Sequence, residues 1–388
     1  MMQRKIVLVN QHSGYLFLDV VNAFAKEYDQ VVLMAGKVVT MDDPLDPKVT
    51  VQKIFPYNRA STFKRFMSWI VCVVNIWWLL LTKYRQHDLL LSSNPPVAST
   101  LIPLLFRRRT SLLLYDVYPD GLVATGFVGV KNPIFKVWAW FNKCAYRKVD
   151  RIITLTDGMA TTIQQYCPKE KITVVPAWSN VPTVEHSATK EENPFVEAYG
   201  LQNKWIVMYS GNFGKGYHLE PLVKVAENFR GYPDIVFILV GEGWQKELLS
   251  SRIESHGLSN CKILPYQPSA FFLHSLQACH VGVVSLTESL ENVAIPSKTY
   301  NLLAVGHPIF CIGSVTSALA RFLEKHEVGM TCDPTDTESM TRFIERLYVD
   351  KEYYRRLSDN ALIVAKSHTK HRARDILELV AAGAQNRP

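Results

Sequence analysis

Apolar and polar positions alternate in blocks along the 388 residues. Runs such as VVLMA (31–35) and SLLLY (111–115) are apolar on consecutive positions, the pattern of parallel strands covered on both faces. Strands are expected at 5–10, 30–34, 49–55, 88–92, 111–116, 151–155 and 172–175, with helical patterns at 18–27, 62–83 and 133–148. The polar stretch 179–193, SNVPTVEHSATKEEN, holds little that can be buried and reads as a linker. Strands then resume at 205–210, 235–241, 261–264, 281–286, 308–312 and 328–332. The pattern predicts an α/β fold of two Rossmann-like, doubly wound domains. They span 1–180 and 201–365, with a linker at 181–200 and a helical tail at 366–388 free to cross back to the first domain. Open α/β sheets bind ligands beyond the carboxyl ends of their strands, so the expected site is the cleft between the halves.

One helical stretch departs from this pattern. FMSWIVCVVNIWWLLL, Phe66 to Leu81, is apolar on nearly all sides and flanked by Lys64, Arg65, Lys83 and Arg85. At 1.5 Å per residue it is about 24 Å long, short for a hydrocarbon core of roughly 30 Å. Basic flanks and tryptophans suit a helix lying in the membrane interface. A domain helix buried against the sheet is the plainer alternative, and a crossing the third.

Composition narrows the partners. With 48% hydrophobic and 20% charged residues the chain is globular. Its net charge of +8 favours nucleic acid, anionic lipid or a phosphorylated ligand. No basic run interleaved with aromatics marks a nucleic-acid surface, so nucleic acid is not expected. Seven scattered cysteines, none in a C-x-x-C pair, read as free thiols, and no metal is expected. The apolar run at 6–9 is too short for a signal peptide, which suggests a cytoplasmic protein.

Chemistry concentrates in turns that follow strands. In YSGNFGKGYHLEPL (209–222), Gly211, Gly214 and Gly216 let backbone N–H groups approach an anion, and Lys215 adds a cation. The spacing is not that of a P-loop. In IPSKTYNLLAVGHP (295–308), Pro296 and Ser297 read as a helix start. Lys298 then faces the positive end of the helix dipole, which disfavours it by a few tenths to roughly 1 kcal/mol. Two such turns in one sheet allow Lys215 and Lys298 to face one diphosphate; otherwise they are two solvated lysines. VGEGWQKEL (240–248), with Gly241, either carries ligand or merely turns.

These segments resemble the family 4 glycosyltransferases of the GT-B fold, and most closely the bacterial members that build capsule, O-antigen or exopolysaccharide. DVYPDGLVATGF (116–127), DRIITLTDGMA (150–160), ITVVPAWSN (172–180), YSGNFG, VGEG and IPSK…LLAVGHP fall in the family's order across most of the chain. The resemblance implies a retaining hexosyltransferase-like enzyme with two Rossmann-like domains facing across a cleft. The second domain would hold a nucleotide diphosphate sugar, UDP-sugar favoured, through Gly211, Asn212, Gly214, Gly241, Pro296 and Ser297. Lys215 and Lys298 would neutralise the leaving diphosphate without metal or other cofactor. The family's E-x7-E pair aligns here with Val293 and Asn301, so Asn301 replaces the ribose-binding Glu. Glu291 or Glu288 stands as a substitute for the first Glu. Where relatives carry a histidine, the matching turn offers Asp116, Tyr118 and Asp120. Asp116 is the candidate for the acceptor hydroxyl or the diphosphate, with a helix cap as the plain alternative.

Further acceptor-side candidates are His12 and Gly14 in QHSGY (11–15), Pro95 in SSNPPVAST (92–100), and Asp120. The expected acceptor is a polyprenyl diphosphate-linked sugar, reached at the inner face of the cell membrane through Phe66–Leu81. Two alternatives stand beside the enzyme: a catalytically weak GT-B subunit that anchors a partner, motivated by Asn301, and a nucleotide-sugar epimerase.

Overall fold

The structure, a computed structural model, describes residues 3–382 apart from 41–42, 59, 106–107, 125, 127, 184–192 and 289–294. The chain up to Ala177, together with the chain from Lys370, forms one unit, and Trp178–Thr369 forms the other.

The first unit is built on seven parallel strands: β1 (Lys5–Val9), β2 (Gln30–Ala35), β3 (Val49–Lys53), β4 (Asp88–Ser92), β5 (Thr110–Leu114), β6 (Arg151–Thr154) and β7 (Ile172–Val174). Their order is β3-β2-β1-β4-β5-β6-β7. Leu8 of β1 pairs with Leu33 on one side and Leu90 on the other. All three leucines are fully buried, which is why the central strands are apolar without alternation. Helices α1 (Tyr15–Ala25), α2 (Thr62–Thr82) and α3 (Pro133–Lys148) connect the strands. Capping starts two of them: Ser61 accepts from the Lys64 amide, and Asn132 accepts from the Ile134 amide ahead of Pro133. Arg108 closes the far end of α2, donating to the carbonyls of Leu80 (2.8 Å) and Tyr84 (3.1 Å).

The second unit repeats the plan with β8 (Trp205–Ser210), β9 (Ile235–Val240), β10 (Cys261–Leu264), β11 (Val281–Ser285), β12 (Ile309–Ile312) and β13 (Gly329–Cys332). The order is β10-β9-β8-β11-β12-β13, all parallel. Helices α4 (Glu220–Asn228), α5 (Lys298–Ala304) and α6 (Lys351–Ala365) belong to this unit. The last helix, α7 (Arg372–Ala382), packs on α1 of the first unit, where Lys370 pairs with Asp43 at 2.7 Å. In both sheets the order reverses beside the first strand, the place where doubly wound sheets open for ligands.

The main departures from the expected elements have local causes. β5 stops at Leu114 rather than Asp116, because the Ser93 hydroxyl accepts from the amides of both Tyr115 and Asp116. The segment expected to open the linker is instead fastened: Ser179 and Asn180 bond to Asn301 within the second unit.

Candidate functional site

In the second unit, two glycine turns leave β8 and β9 and pack against each other. The Gly211 amide donates to Val240 O, the Phe213 amide to Glu242 O, and the Gln245 amide to Phe213 O. Gly241 has φ +152, and a Cβ there would lie 1.9 Å from Gly211 O, so only glycine fits. The Gln245 side chain donates to the carbonyls of Gly214 and Tyr217, setting the curve of the first turn. Ser285 closes it by accepting from the His218 amide and donating to the His218 carbonyl.

Lys298 reaches into this turn. A Cβ on Gly211 would lie 2.5 Å from its ammonium nitrogen, so the glycine makes room for the lysine. The nitrogen lies 3.8 Å from the centroid of the Tyr209 ring and 5.6 Å from that of Tyr217. It is shut off from solvent and has no hydrogen-bond partner among the described residues, although part of the side-chain stem remains accessible. Burial pushes its pKa down to about 7. The two ring faces supply cation–π attraction. Tyr209 is itself fixed, donating to Asn212 O at 2.8 Å.

The remaining donor candidates divide. Gly211, Asn212, Gly214 and Gly241 all belong to these two turns, and Asn212 is exposed. Lys215 is exposed as well, its nitrogen 4.5 Å from the centroid of the Trp244 ring. Pro296 and Ser297 precede α5, but Ser297 makes no capping hydrogen bond. α5 has only seven residues, so its dipole is short, and Lys298 itself supplies the positive charge. Asn301, expected at the ribose, is held by the protein. It is buried, and its amide oxygen accepts from Ser179 Oγ and Asn180 N, both at 3.1 Å. Glu291 and Val293 lie outside the described residues; Glu288 is exposed.

In the first unit, the acceptor-side candidates gather at the carboxyl ends of β1, β4 and β5. The Gln11 amide donates to Asn94 O, joining the first two loops. His12 pairs with Lys37 in a short two-stranded ladder, and its amide donates to the Asn10 side chain. Gly14 precedes α1 with open space where a Cβ would point. Pro95 is buried and follows a cis Asn94–Pro95 bond. Asp116 caps nothing among the described hydrogen bonds and presents an exposed side chain. Surrounding protein nonetheless pushes its carboxyl above the usual range by desolvation. The Asp120 carboxylate accepts from the Tyr166 hydroxyl (2.6 Å) and the Gln165 amide (3.0 Å).

Sequence reasoning missed Tyr209, Tyr217, Gln245 and Ser285. Their types and their place at strand ends were visible, but their convergence on one turn depends on contacts across the sheet. Tyr118 was named only as a neighbour. It stacks on Trp138 (centroids 5.9 Å apart) and meets Trp69 edge-on (6.4 Å).

Residues 191–363 match the family described as glycosyl transferases group 1. The chain is 21% identical over 351 residues to the probable glycosyltransferase WbjE of Pseudomonas aeruginosa, covering 87% of this chain and 86% of that one. It is 24% identical over 301 residues to the putative colanic acid biosynthesis glycosyl transferase WcaI of Escherichia coli (strain K12), covering 74% and 73%. Among solved structures, Anabaena Alr3699/HepE in complex with UDP-glucose superposes with a TM-score of 0.70 at 15% identity, covering 97% of this chain and 99% of that one. At that identity the likeness speaks for the fold.

Proposed function

We propose that the chain is a group 1 glycosyltransferase of the GT-B fold that moves a sugar from a UDP-sugar to a lipid-linked saccharide in bacterial surface polysaccharide biosynthesis. The acceptor is a polyprenyl diphosphate-linked sugar, met at the inner face of the cell membrane, and transfer retains the anomeric configuration. One observation carries the donor half of this reading: the buried Lys298 nitrogen against Gly211, without a hydrogen-bond partner among the described residues. A cation held out of water interacts strongly with an arriving diphosphate, because little solvent screens the pair. As the sugar–phosphate bond breaks, negative charge grows on the leaving diphosphate. A preorganised ammonium stabilises that charge more than it stabilises the ground state. Lys215 is a second, exposed cation on the same turn, able to follow the leaving group. HepE, whose structure holds UDP-glucose, supports the choice of nucleotide.

On the acceptor side, Asp116 is the carboxylate with an exposed face at the strand ends and sits to engage a hydroxyl. The helix Phe66–Leu81, within α2, brings this unit to the bilayer that carries the acceptor.

The test is release of UDP by the purified protein. Release is expected to be fast only when UDP-sugar and a polyprenyl diphosphate-linked saccharide are both supplied. Equal release without acceptor contradicts the assignment.

The committed oxygen of Asn301 favours a second reading, a weakly active subunit that anchors a partner enzyme. Asn301→Glu distinguishes the two. In a working enzyme it breaks the fastening of 179–180 and lowers an existing transfer rate; in an anchoring subunit there is no rate to lose.

A further inference from the structure

α2 has two opposite characters along its length. Cys72, Val73, Ile76 and Leu80 pack into the core beneath it, together with Leu89, Leu91, Leu112 and Leu114 of the sheet. Phe63, Phe66, Met67, Ile70, Val71, Val74 and Trp78 are exposed. At 100° per residue these seven fall within an arc of about 140°. A bilayer crossing needs apolar contact on every side, whereas here one side belongs to the sheet. The geometry is that of a helix lying along a membrane.

α3 repeats the division, which its sequence alone did not reveal. Trp138, Asn142, Ala145 and Tyr146 are buried, and Ala145 and Tyr146 join the same core cluster as α2. Ile134, Val137 and Trp140 are exposed, Trp140 by 59%, and fall on another single arc. Lys136, Lys143 and Arg147 form a basic stripe beside it. Because both helices pack inward on one core, their outer faces look the same way. Between them lies the exposed Leu104, at the end of the segment Ala98–Leu104 that touches both helices. Tyr118, stacked on Trp138 of α3 and edge-on to Trp69 of α2, ties the two at the strand ends where Asp116 lies.

Charge specifies what covers this face. Residues 56–149 hold thirteen Lys and Arg against three Asp and no Glu, a net +10, whereas the whole chain carries +8. The positive charge of the protein is thus concentrated on the segment that bears the apolar face. A second copy of so basic a face would repel it, while an anionic lipid surface attracts it.

The geometry points to α2, Leu104 and α3 as one two-helix docking face for an anionic bilayer, with the indole of Trp140 at headgroup depth and the α3 lysines among the headgroup phosphates. This rests on the membrane-surface reading of α2 and assigns the second half of the contact and its lipid preference. The face holds the acceptor-side strand ends at a fixed height above the acyl chains.

Sedimentation with vesicles tests it, using phosphatidylcholine alone and phosphatidylcholine mixed with phosphatidylglycerol. The wild type is expected to bind the mixed vesicles, and Ile134→Ser/Val137→Ser/Trp140→Ser to lose at least tenfold in that binding. Lys136→Glu/Lys143→Glu, altered only at exposed positions, is expected to lose binding to the mixed vesicles and to match wild type on phosphatidylcholine. UDP affinity of both variants, as a check on folding, is expected to be unchanged. If both α3 variants bind like wild type while Val74→Ser/Trp78→Ser does not, α2 docks alone and the inference fails, leaving the function intact. If wild type binds neither vesicle, the membrane element of the proposed function falls too. A wild-type dimer that the α3 triple variant splits in light scattering makes this face a self-interface, and also overturns the inference.

Discussion

A buried lysine nitrogen titrates where its surroundings put it, and for Lys298 that is about 7. Desolvation between Tyr209, Tyr217 and Gly211 is the cause. The ordinary value, about 10.4, lies above the folded value, so the unfolded chain binds the proton more readily. Stability from this group is therefore complete above about pH 10 and is lost as pH falls toward 7. Without ligand, Lys298→Met is expected to melt at a higher temperature than wild type at pH 7, and the difference to shrink toward pH 10, read by calorimetric scans. A bound diphosphate reverses the balance by favouring the ammonium. UDP binding at pH 8 should take up close to one proton, seen as a dependence of the titration heat on buffer ionisation enthalpy. In Lys298→Met that dependence should vanish. The sequence showed that a cation stood at this strand end. It did not show that the cation is shut away, because the rings that enclose it come from positions 209 and 217. The partners of Asp120 and Asn301 were hidden for the same reason. Tyr166 and Ser179 lie 46 and 122 residues away, beyond any local pattern.

Elements were far more legible than side-chain partners. Every expected strand forms, within a few residues of its expected ends, because a run apolar on both faces has few places to go except the middle of a covered sheet. Helix faces were not legible where apolar residues surround the axis: α2 and its neighbour α3 show their packed and open sides only once the core is built. The junction of α2 with β4 carries two predictions. Arg108 satisfies two carbonyls at the end of α2, and hydrogen bonds to a charged group contribute about 1.5–3 kcal/mol each. Arg108→Ala is expected to lower the urea midpoint with an unchanged m-value; an unaltered midpoint would show that water replaces the arginine at no cost. Next to it, the His87 ring is buried against Tyr84 with neither nitrogen hydrogen-bonded. Burial, then Lys5 and Arg108, push its pKa down. A depressed histidine stabilises fully above about pH 6.5 and loses that contribution as pH falls below it. The wild type should melt lower at pH 5.5 than at pH 7.5, and His87→Phe should show a smaller difference.

At the scale of the molecule, two doubly wound units each bring their loops to the carboxyl edge of a parallel sheet, and the two edges carry different chemistry. One gathers His12, Gly14 and Asp116 beside a basic, apolar outer face. The other gathers two glycine turns around a buried cation. The polar linker and the restart of the strand pattern made two domains legible in advance. The return of α7 to the first unit was foreshadowed only by the helical tail, because its fit against α1 depends on the folded surface. Donor binding is the step on which the enzymatic proposal depends. Its most direct test is an isothermal titration of UDP into wild type and Lys298→Met at pH 7, with folding checked by circular dichroism. The account predicts saturable binding by the wild type and a loss of roughly tenfold to a hundredfold in the variant, the scale of about 1.4–2.8 kcal/mol. Equal affinity in the two proteins, or no binding to the wild type at millimolar UDP, would contradict it.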